Sequence, residues 1–458
     1  MRHAALNLLA RLRRTPLRDW PALEVTVAEA SALYMAGFLL SAVLGIVRQI
    51  LLNARFGLGD EAAAFYAAFR LPETISLLIA GGALTNALVP VLVRAFAHGG
   101  SPAANRLVNL TLTALLAVFA PLCLLAVLAA PLFVRTILAP GFDARLQALT
   151  VTLTRILLLE VLLVISEAAL VALLVSRNQI LLPALAIALR NLTLIGGTVA
   201  AFVVPQVGIL GPTIGSLFDA LLQIVFLVPA LRSHCYRPRL LWAPSDPDLR
   251  LTLRLLWPNA LSGLSNYAGN IADVAFASLS GVTAAVGALV NALLLVGLPV
   301  RLLGFAVGQA ALPALAAFGV ANNLAAFRSL LRRTLLIAAG ASLLAAIALV
   351  VLGRPLIALL FERGAFDAAA GDLTYRLLAI YAAGLPTYVV TEIASRGLVA
   401  RFDTRTPLVA NVLQLATRIA LNAALVPPLG PVALPVSFVL AAALETAVVL
   451  IVLYWRAR

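Results

Sequence analysis

The chain has 458 residues, of which 63% are hydrophobic and 11% are charged, and its mean hydropathy is +1.05. This composition excludes an ordinary soluble protein, because a soluble chain of this length has polar surface between its core segments. Most of the long apolar runs reach the roughly 20 residues that cross a hydrocarbon core of about 30 Å. Short alternating segments typical of a β-barrel are absent, so the sequence predicts an all-α polytopic membrane protein.

The apolar segments predict about twelve transmembrane helices. They are placed at 28–56, 61–96, 104–136, 146–176, 179–204, 208–231, 250–280, 283–317, 327–360, 370–398, 405–427 and 430–455. A basic cytoplasmic leader (1–27) precedes an N-lobe of six spans (28–231), and a linker (232–249) leads to a C-lobe of six spans (250–458).

All 33 basic residues are arginines, and the net charge is +14. Such a charge can indicate nucleic-acid binding, but the arginines are spread over the inter-span loops and form no basic domain. No nucleic-acid partner is therefore expected. The arginine-rich loops alternate with loops that are uncharged (205–211, 280–284 and 427–432) or mixed or acidic (57–62 and 361–372), which by the positive-inside rule predicts that both termini are cytoplasmic.

The two halves of the chain share sequence elements at a constant spacing. The segment "APLFVRTILAPGFDA" (130–144) returns as "RPLIALLFERGAFDA" (354–368), 224 residues later, and Pro183 returns as Pro407 at the same offset. Two six-span halves in the same orientation are typical of transporters that bind their substrate near the membrane midplane. The repeat therefore predicts two six-helix bundles around a central cavity.

Arg48 lies within an apolar run and shares one helical face with Ser41 and Gly45. An arginine in mid-span costs at least about 2.5–3.5 kcal/mol on insertion scales, so its side chain should face protein or water. Two interpretations stay open. Arg48 is either a cation in a substrate cavity or a structural arginine that bonds to carbonyl groups or reaches the membrane interface.

Other polar side chains within the spans also predict a cavity. Arg70 and Glu73 are three residues apart, so they form either a cavity cation or an ion pair that neutralises itself. Arg301 follows Pro299, which opens the backbone ladder beside it. A polar stripe crosses the seventh span, where it lines an interior or joins helices, and it consists of Asn259, Asn266, Asn270 and Asp273. The predicted substrate-binding residues are Arg48, Arg70, Asn266, Asn270, Asp273 and Arg301.

The sequence contains no catalytic constellation, Walker loop or dinucleotide motif. Cys123, Cys235 and three scattered histidines have no metal-ligand spacing. We therefore expect that the chain is not an enzyme and uses neither a cofactor nor a metal. A membrane potential or an ion gradient is the expected energy source.

Several segments resemble the MviN/MurJ family. They are "SAVLGIVRQILLNARFGLG" (41–59), "AFYAAFRLPETISLLIAGGALTNALVPVL" (64–92), "NIADVAFASL" (270–279), "LLFERGAFDA" (359–368) and "LVARFDTRTPLVAN" (398–411). The resemblance covers roughly residues 35–455. It implies the fold of lipid II flippases in the multidrug/oligosaccharidyl-lipid/polysaccharide exporter superfamily. Many family members carry fourteen helices, so the two C-terminal ones are expected to be missing here.

The family's arginines transfer to this chain only in part. Arg48 matches the family's arginine in the first span. Three further positions at which the family has arginine carry other residues here, namely Ala42, Ser76 and Leu294. Arg301 and Arg70 are expected to replace two of these missing charges.

The resemblance implies a flippase of the bacterial cytoplasmic membrane that moves undecaprenyl-pyrophosphate-linked peptidoglycan precursor (lipid II) to the outer leaflet by alternating access. Expected partners are this lipid-linked pyrophosphate glycan, membrane lipids and cell-wall synthesis enzymes, and the expected state is a monomer. The alternatives are a flippase for another polyprenyl-linked glycan, a MATE-like antiporter and a non-transporting cell-wall scaffold. In an antiporter, Asp273 and Glu392 would matter more than Arg48.

Overall fold

The structure is a computed structural model that describes residues 20, 26–80, 83–233, 235–321, 323–401 and 403–457. The predicted leader lies almost entirely outside the described residues, and so do the side chains of Asn259 and Asn266. The described residues form α-helices that are joined by turns, loops and short π- or 3-10-helical segments and contain no strand, as the sequence predicts.

Fourteen α-helices are named here in chain order. The first seven are α1 Val27–Phe56, α2 Asp60–Ala80, α3 Ala83–Phe133, α4 Ala144–Val175, α5 Leu181–Val203, α6 Leu210–Ser233 and α7 Pro247–Leu279. The others are α8 Ala284–Pro299, α9 Val307–Val320, α10 Leu324–Phe361, α11 Ala368–Ala383, α12 Leu385–Val399, α13 Arg405–Leu429 and α14 Ala433–Ala457. Two π-helical segments, Val134–Leu138 and Val300–Ala306, continue α3 and join α8 to α9.

Within the described residues, eight helical segments are long and apolar enough to cross a membrane, or nine if the bent pair α11 and α12 is one span. Two of these segments, Ala83–Leu138 with 56 residues and Arg405–Trp455 with 51, are far longer than the roughly 20 residues that one crossing needs. The chain is therefore a multi-pass membrane protein. The number of twelve spans stays a prediction.

The outer faces of these helices carry large apolar side chains. Leu128 is 66% exposed, and Leu344 is 70% exposed. Such side chains are costly in water but cost nothing against lipid tails. The exposed apolar faces therefore agree with a chain whose surroundings are hydrocarbon.

Two predicted spans each correspond to parts of two helices. The predicted span 61–96 covers α2 and the start of α3, while the break in α3 at Gly100, which has φ 62°, falls in the predicted interval before the span 104–136. The predicted span 370–398 is bent by 46° between α11 and α12. Gly384 and Pro386 lie at this break, where proline removes a backbone donor and favours the first turn of the new helix.

By their internal contacts, the residues divide into two units. The first unit consists of Met1–Arg55, Ala68–Val134 and Gln147–Leu264, and the second of Phe56–Ala67, Arg135–Leu146 and Ser265–Arg458. In the first unit, Leu88 and Leu92 of α3 pack in one core with Ile165 of α4. In the second unit, Phe327 of α10 and Ile393 of α12 share a core with other buried side chains. The predicted division at a 232–249 linker stays a prediction.

Helices α5 and α6 of the first unit approach each other through glycines. A Cβ atom added at Gly197 would lie 2.2 Å from the Gly211 carbonyl oxygen, and one added at Gly215 would lie 2.6 Å from that of Thr193. Small residues allow this close approach, which replaces the hydrophobic driving force that is missing between helices in lipid.

The repeated "FDA" element forms the same local structure in both places. The carboxylate of Asp143 accepts a hydrogen bond from the Leu146 amide at 2.7 Å and precedes α4. The carboxylate of Asp367 accepts one from the Ala370 amide at 2.8 Å and precedes α11. Each aspartate therefore caps the N-terminus of the following helix, which gives the repeat a physical role.

Hydrogen bonds and an ion pair join the predicted linker to α3 within the first unit. The Asn109 side chain accepts a hydrogen bond from the Tyr236 hydroxyl at 2.8 Å and donates one to the Arg237 carbonyl at 3.0 Å. Burial raises the pKa of Tyr236 to about 12, so its hydroxyl remains a donor at neutral pH. Further along, Arg106 forms an ion pair with Asp246 at 2.7 Å.

Candidate functional site

A polar cavity lies within the second unit. Its volume is about 330 Å³, and α7, α8, α12, α13, α14 and the π-helical segment Val300–Ala306 contribute to its wall. Its charged and amide side chains include Asn270, Arg301, Glu392, Gln414, Arg418 and Glu445. Pockets of this size with a few polar groups can hold a small ligand or part of a larger one.

Arg301 reaches this cavity from the π-helical segment that follows Pro299. Neither a hydrogen bond nor an ion pair holds its guanidinium among the described residues, and the residue is exposed. π-Helical turns occur often at functional sites because they re-aim side chains. The sequence-based placement of Arg301 beside a cavity therefore agrees with its geometry, while substrate binding by Arg301 stays a prediction.

Asn270 lines the same cavity, but Asp273 one turn later does not. The side chain of Asp273 is 2% exposed and forms a two-point ion pair with Arg418 of α13, in which the Arg418 Nε donates to Oδ1 at 2.8 Å. The Arg418 guanidinium also lies 4.3 Å from the centre of the Phe438 ring. Asp273 thus holds a cavity-lining arginine in place, and its predicted direct contact with a substrate stays untested by this geometry.

A second ion pair lies on the cavity wall. The Glu392 carboxylate is 2.5 Å from the Arg396 guanidinium, one helical turn away on α12. Arg396 stacks over the Phe305 ring with 4.8 Å to its centre. Glu392 is therefore neutralised by a partner that belongs to its own helix.

In the first unit, the face of α1 that carries Arg48 packs on α5. The Asn191 side chain donates hydrogen bonds to the Ser41 carbonyl and hydroxyl, each at 2.9 Å, and its oxygen lies 3.6 Å from a Cβ built at Gly45. Arg48 lies further along this face, is half-buried, and interacts electrostatically with Asp219 of α6. Arg48 therefore faces protein, as expected for a charge within a span.

A group of buried polar side chains lies near Arg48 in the first unit. Asp219, whose side chain is 2% exposed, is 3.8 Å from the Arg190 guanidinium and accepts a hydrogen bond from Gln223 at 2.9 Å. The Glu160 carboxylate accepts a bond from the Ser216 hydroxyl at 2.5 Å. Each of these charged side chains within the spans therefore has a partner inside the protein.

The structure shows the ion pair that Arg70 and Glu73 could form. The Arg70 guanidinium is 2.9 Å from the Glu73 carboxylate, and the two side chains are 16% and 29% exposed. The Arg70 charge is thus largely neutralised within its own helix. Its predicted role as a substrate cation stays a prediction.

The remaining predicted positions are Asn266 and the three sites at which the expected arginine is replaced. The side chain of Asn266 lies outside the described part of the structure. At the three positions without the expected arginine, Ala42 is exposed, Ser76 is 5% exposed and Leu294 is half-buried. Among the described residues, no group of three or more His, Cys, Asp or Glu side chains is arranged to hold a metal ion.

Sequence analysis missed Glu445 and Arg418 as members of the cavity wall. A periodic polar pattern is present on α13 but not on α14. On α13, Gln414, Arg418 and Asn422 follow each other at four-residue spacing, and on α14 Glu445 lies two turns after Phe438 on one face. The stripe on α13 has the same four-residue periodicity as part of the stripe in the seventh span, whereas on α14 Glu445 is a single charge on an otherwise apolar face.

Comparisons with known proteins agree with one another. A family model described as "Lipid II flippase MurJ" matches residues 52–458. A probable lipid II flippase MurJ of Rhizobium meliloti is 30% identical over 426 residues, which cover 91% of this chain and 78% of the relative. The lipid II flippase MurJ of Burkholderia cenocepacia is 30% identical over 428 residues, which cover 90% of this chain and 81% of the relative.

Solved structures show the fold. A lipid II flippase MurJ in an inward closed conformation superimposes with a TM-score of 0.79 at 21% identity, covering 92% of this chain and 87% of that one. An inward-facing multidrug resistance MATE transporter of the MOP superfamily gives a TM-score of 0.77 at 15% identity, covering 91% and 94%. The helical transporter fold predicted from the sequence is confirmed.

Proposed function

We propose that this chain, which belongs to the MurJ family of lipid II flippases, moves lipid II from the inner to the outer leaflet of the cytoplasmic membrane by alternating access. The observation that carries the proposal is the family match, which extends over residues 52–458. The cargo is an undecaprenyl-pyrophosphate-linked glycan. Transport changes its location and leaves its covalent structure intact, so we assign no enzymatic step.

The physical task is to move a charged headgroup past hydrocarbon. Transferring an ionised group from water into an apolar medium costs many kcal/mol unless other polar groups replace its hydration. Arginine is suited to this role because its planar fork binds phosphate or carboxylate through two hydrogen bonds. Arg48 of α1 and Arg301 of the second unit's cavity are the proposed contacts for anionic groups of the headgroup.

Arg301 is proposed to replace the family arginine whose position is Leu294 here. Support comes from its place in the cavity wall and from the lack of an ion-pair partner among the described residues. Arg70 has weaker support as a replacement in the second span, because Glu73 already neutralises it at 2.9 Å. We therefore rank Arg48 and Arg301 above Arg70 as substrate contacts.

We propose that the chain acts as a monomer in the bacterial cytoplasmic membrane with both termini in the cytoplasm. The alternation of arginine-rich loops with uncharged, mixed or acidic loops supports this orientation. Cell-wall synthesis enzymes that use lipid II on the outer face are the proposed protein partners, because they would consume the transported product.

Complementation tests the function. The full chain is expressed in a bacterium depleted of its own lipid II flippase, and lipid II on the outer face is measured. Arg48→Ala and Arg301→Ala should each lower transport by about tenfold or more, because each removes a charge-assisted hydrogen bond worth about 1.5–3 kcal/mol. The matched control is Arg376→Ala on α11, which removes an exposed arginine outside the cavity wall.

The possible outcomes distinguish an error in the proposed cargo from an error in the proposed contact residues. A wild-type chain that is inserted at a normal level and leaves lipid II on the inner face contradicts the proposed cargo. Full transport by both arginine variants contradicts the proposed contacts but not the cargo.

A further inference from the structure

The charges on the cavity wall of the second unit are not all balanced by protein partners. Arg418 is paired with Asp273, and Glu392 is paired with Arg396 at 2.5 Å. The two remaining charged groups of the wall are Arg301 and Glu445. Within the described residues, neither has an ion-pair partner within 4.0 Å or a hydrogen-bond partner for its side chain.

Arg301 and Glu445 come from different helical segments that meet the same cavity. Arg301 lies on the π-helical segment after α8, and Glu445 lies on α14, two turns beyond Phe438 on the face that lines the cavity. Two opposite charges within a membrane protein would lower their cost by pairing. Arg301 and Glu445 line one cavity of about 330 Å³ and do not pair with each other. The cavity therefore has room for a ligand that binds both side chains.

The sign of each charge limits the chemistry of this ligand. A phosphate or pyrophosphate group would be attracted by Arg301 but repelled by the Glu445 carboxylate. A simple cation would be attracted by Glu445 but repelled by Arg301. A group that carries an ammonium and a carboxylate side by side satisfies both. The amide side chains of Asn270 and Gln414 in the same wall can hydrogen-bond the remaining polar atoms of such a group.

We infer that this cavity binds a zwitterionic amino-acid group, with its carboxylate on Arg301 and its ammonium on Glu445. The inference rests on the proposed function and deepens it, because the stem peptide of a peptidoglycan precursor carries such a group when its third residue is a diaminopimelate. The cavity would then recognise the peptide part of the headgroup, and Arg48 would remain the proposed contact for its pyrophosphate.

The first experiment uses two headgroups that differ in one carboxylate. The full chain in nanodiscs is titrated with lipid II that has diaminopimelate at the third position of its stem, and with lipid II that has lysine there. We expect about tenfold tighter binding of the diaminopimelate form, which is the effect of one charge-assisted hydrogen bond. Arg301→Gln should abolish this preference, while Glu445→Gln should weaken both forms, since both carry the ammonium.

Controls show that these effects belong to the subsite. Arg376→Gln and Asp372→Asn, which change exposed charges on α11 outside the cavity wall, should keep the wild-type preference. Lipid II with an acetylated stem amine should bind equally to the wild type and to Glu445→Gln. Equal affinity of the wild type for both headgroups, with Arg301→Gln weakening both, would overturn the inference and would assign Arg301 to a group that both forms share.

A second experiment does not depend on lipid II. The melting temperature of the purified full chain is measured with free meso-diaminopimelate, with cadaverine, which has only the ammonium groups, and with pimelate, which has only the carboxylates. Stabilisation by diaminopimelate alone, lost in Arg301→Gln and in Glu445→Gln, supports the subsite even if lipid II fails to bind. Equal effects of the three compounds, or none, would overturn the subsite whatever the flippase assay shows.

Discussion

Arg418 and Asp273 form a two-point ion pair between α13 and α7, with side chains that are only 5% and 2% exposed. The Asn422 side chain donates a further, longer hydrogen bond to the same carboxylate at 3.4 Å. Gly269, one turn before Asp273, leaves room for the guanidinium, since a Cβ there would lie 2.7 Å from the Arg418 Nη1. The pair joins two helices of the second unit beside its cavity.

Asp273→Asn should strongly destabilise the second unit. It leaves the Arg418 guanidinium buried without a counter-charge, and breaking a buried pair in this way costs about 3–5 kcal/mol. The measurement is the melting temperature in detergent. The control is Asp372→Asn, which breaks a pair with Arg354 at 2.7 Å in which the aspartate is 57% exposed, and which should cost about 0–1 kcal/mol. Equal changes in melting temperature in the two variants would show that the buried ion pair contributes no more to stability than the exposed one.

Two neighbouring glycines of α5 should respond in opposite ways to the same substitution. At Gly197, alanine would place its Cβ 2.2 Å from the Gly211 carbonyl oxygen, so α5 and α6 must separate. At Gly196 no atom lies within 4 Å of the added Cβ, and alanine should stabilise the helix by up to about 1 kcal/mol. We expect Gly197→Ala to lower the melting temperature and Gly196→Ala to keep or raise it. A harmless Gly197→Ala would contradict the close packing of these helices.

The sequence predicts the helical architecture well because apolar length is a local property. The predicted spans 179–204 and 208–231 correspond to Leu181–Val203 and Leu210–Ser233. The break at Gly100 falls in the predicted interval between the spans 61–96 and 104–136. The bend at Gly384 lies inside the predicted span 370–398 and is harder to place, because glycine within an apolar run is compatible with both a continuous and an interrupted helix.

Residues of the candidate site can be predicted from the sequence only where a pattern within a single helix marks them. The proline before Arg301 marks a change of backbone, and the stripe through Asn270 marks a polar face, and both residues line the cavity of the second unit. Whether Asp273 faces the cavity or a partner depends on Arg418, which is 145 residues away in sequence. Pairing between distant helices has no local pattern, so the sequence alone does not show that Asp273 and Arg418 form a pair.

Transport should depend on the membrane potential. Two negative charges of a pyrophosphate that leave a negative-inside compartment gain about 2.3 kcal/mol per charge per 100 mV, or about 4–5 kcal/mol together. This corresponds to a change of about 10³ in the equilibrium ratio of the two leaflets. Proteoliposomes with an imposed potassium diffusion potential of either sign measure the leaflet distribution of lipid II. A distribution that ignores the potential and follows a proton or sodium gradient would contradict direct electrical driving.

Asn109→Ala should open the linker locally. The substitution removes the partner of the Tyr236 hydroxyl and of the Arg237 carbonyl, and buried polar groups without partners cost about 1–3 kcal/mol. Because cleavage of a rapidly opening segment follows its open population, trypsin should cut after the exposed Arg239 about five- to 150-fold faster. Tyr236→Phe, which removes one of these bonds and keeps the ring, should have a smaller effect.

Cleavage after Arg363, in the turn between α10 and α11 of the second unit, provides the internal control for this experiment. A rate there that stays at the wild-type value shows that the opening is confined to the linker. Parallel acceleration at Arg363 and Arg239 would show that Asn109→Ala destabilises the whole chain, and the proposed role of Asn109 in holding the linker locally against α3 would then be wrong.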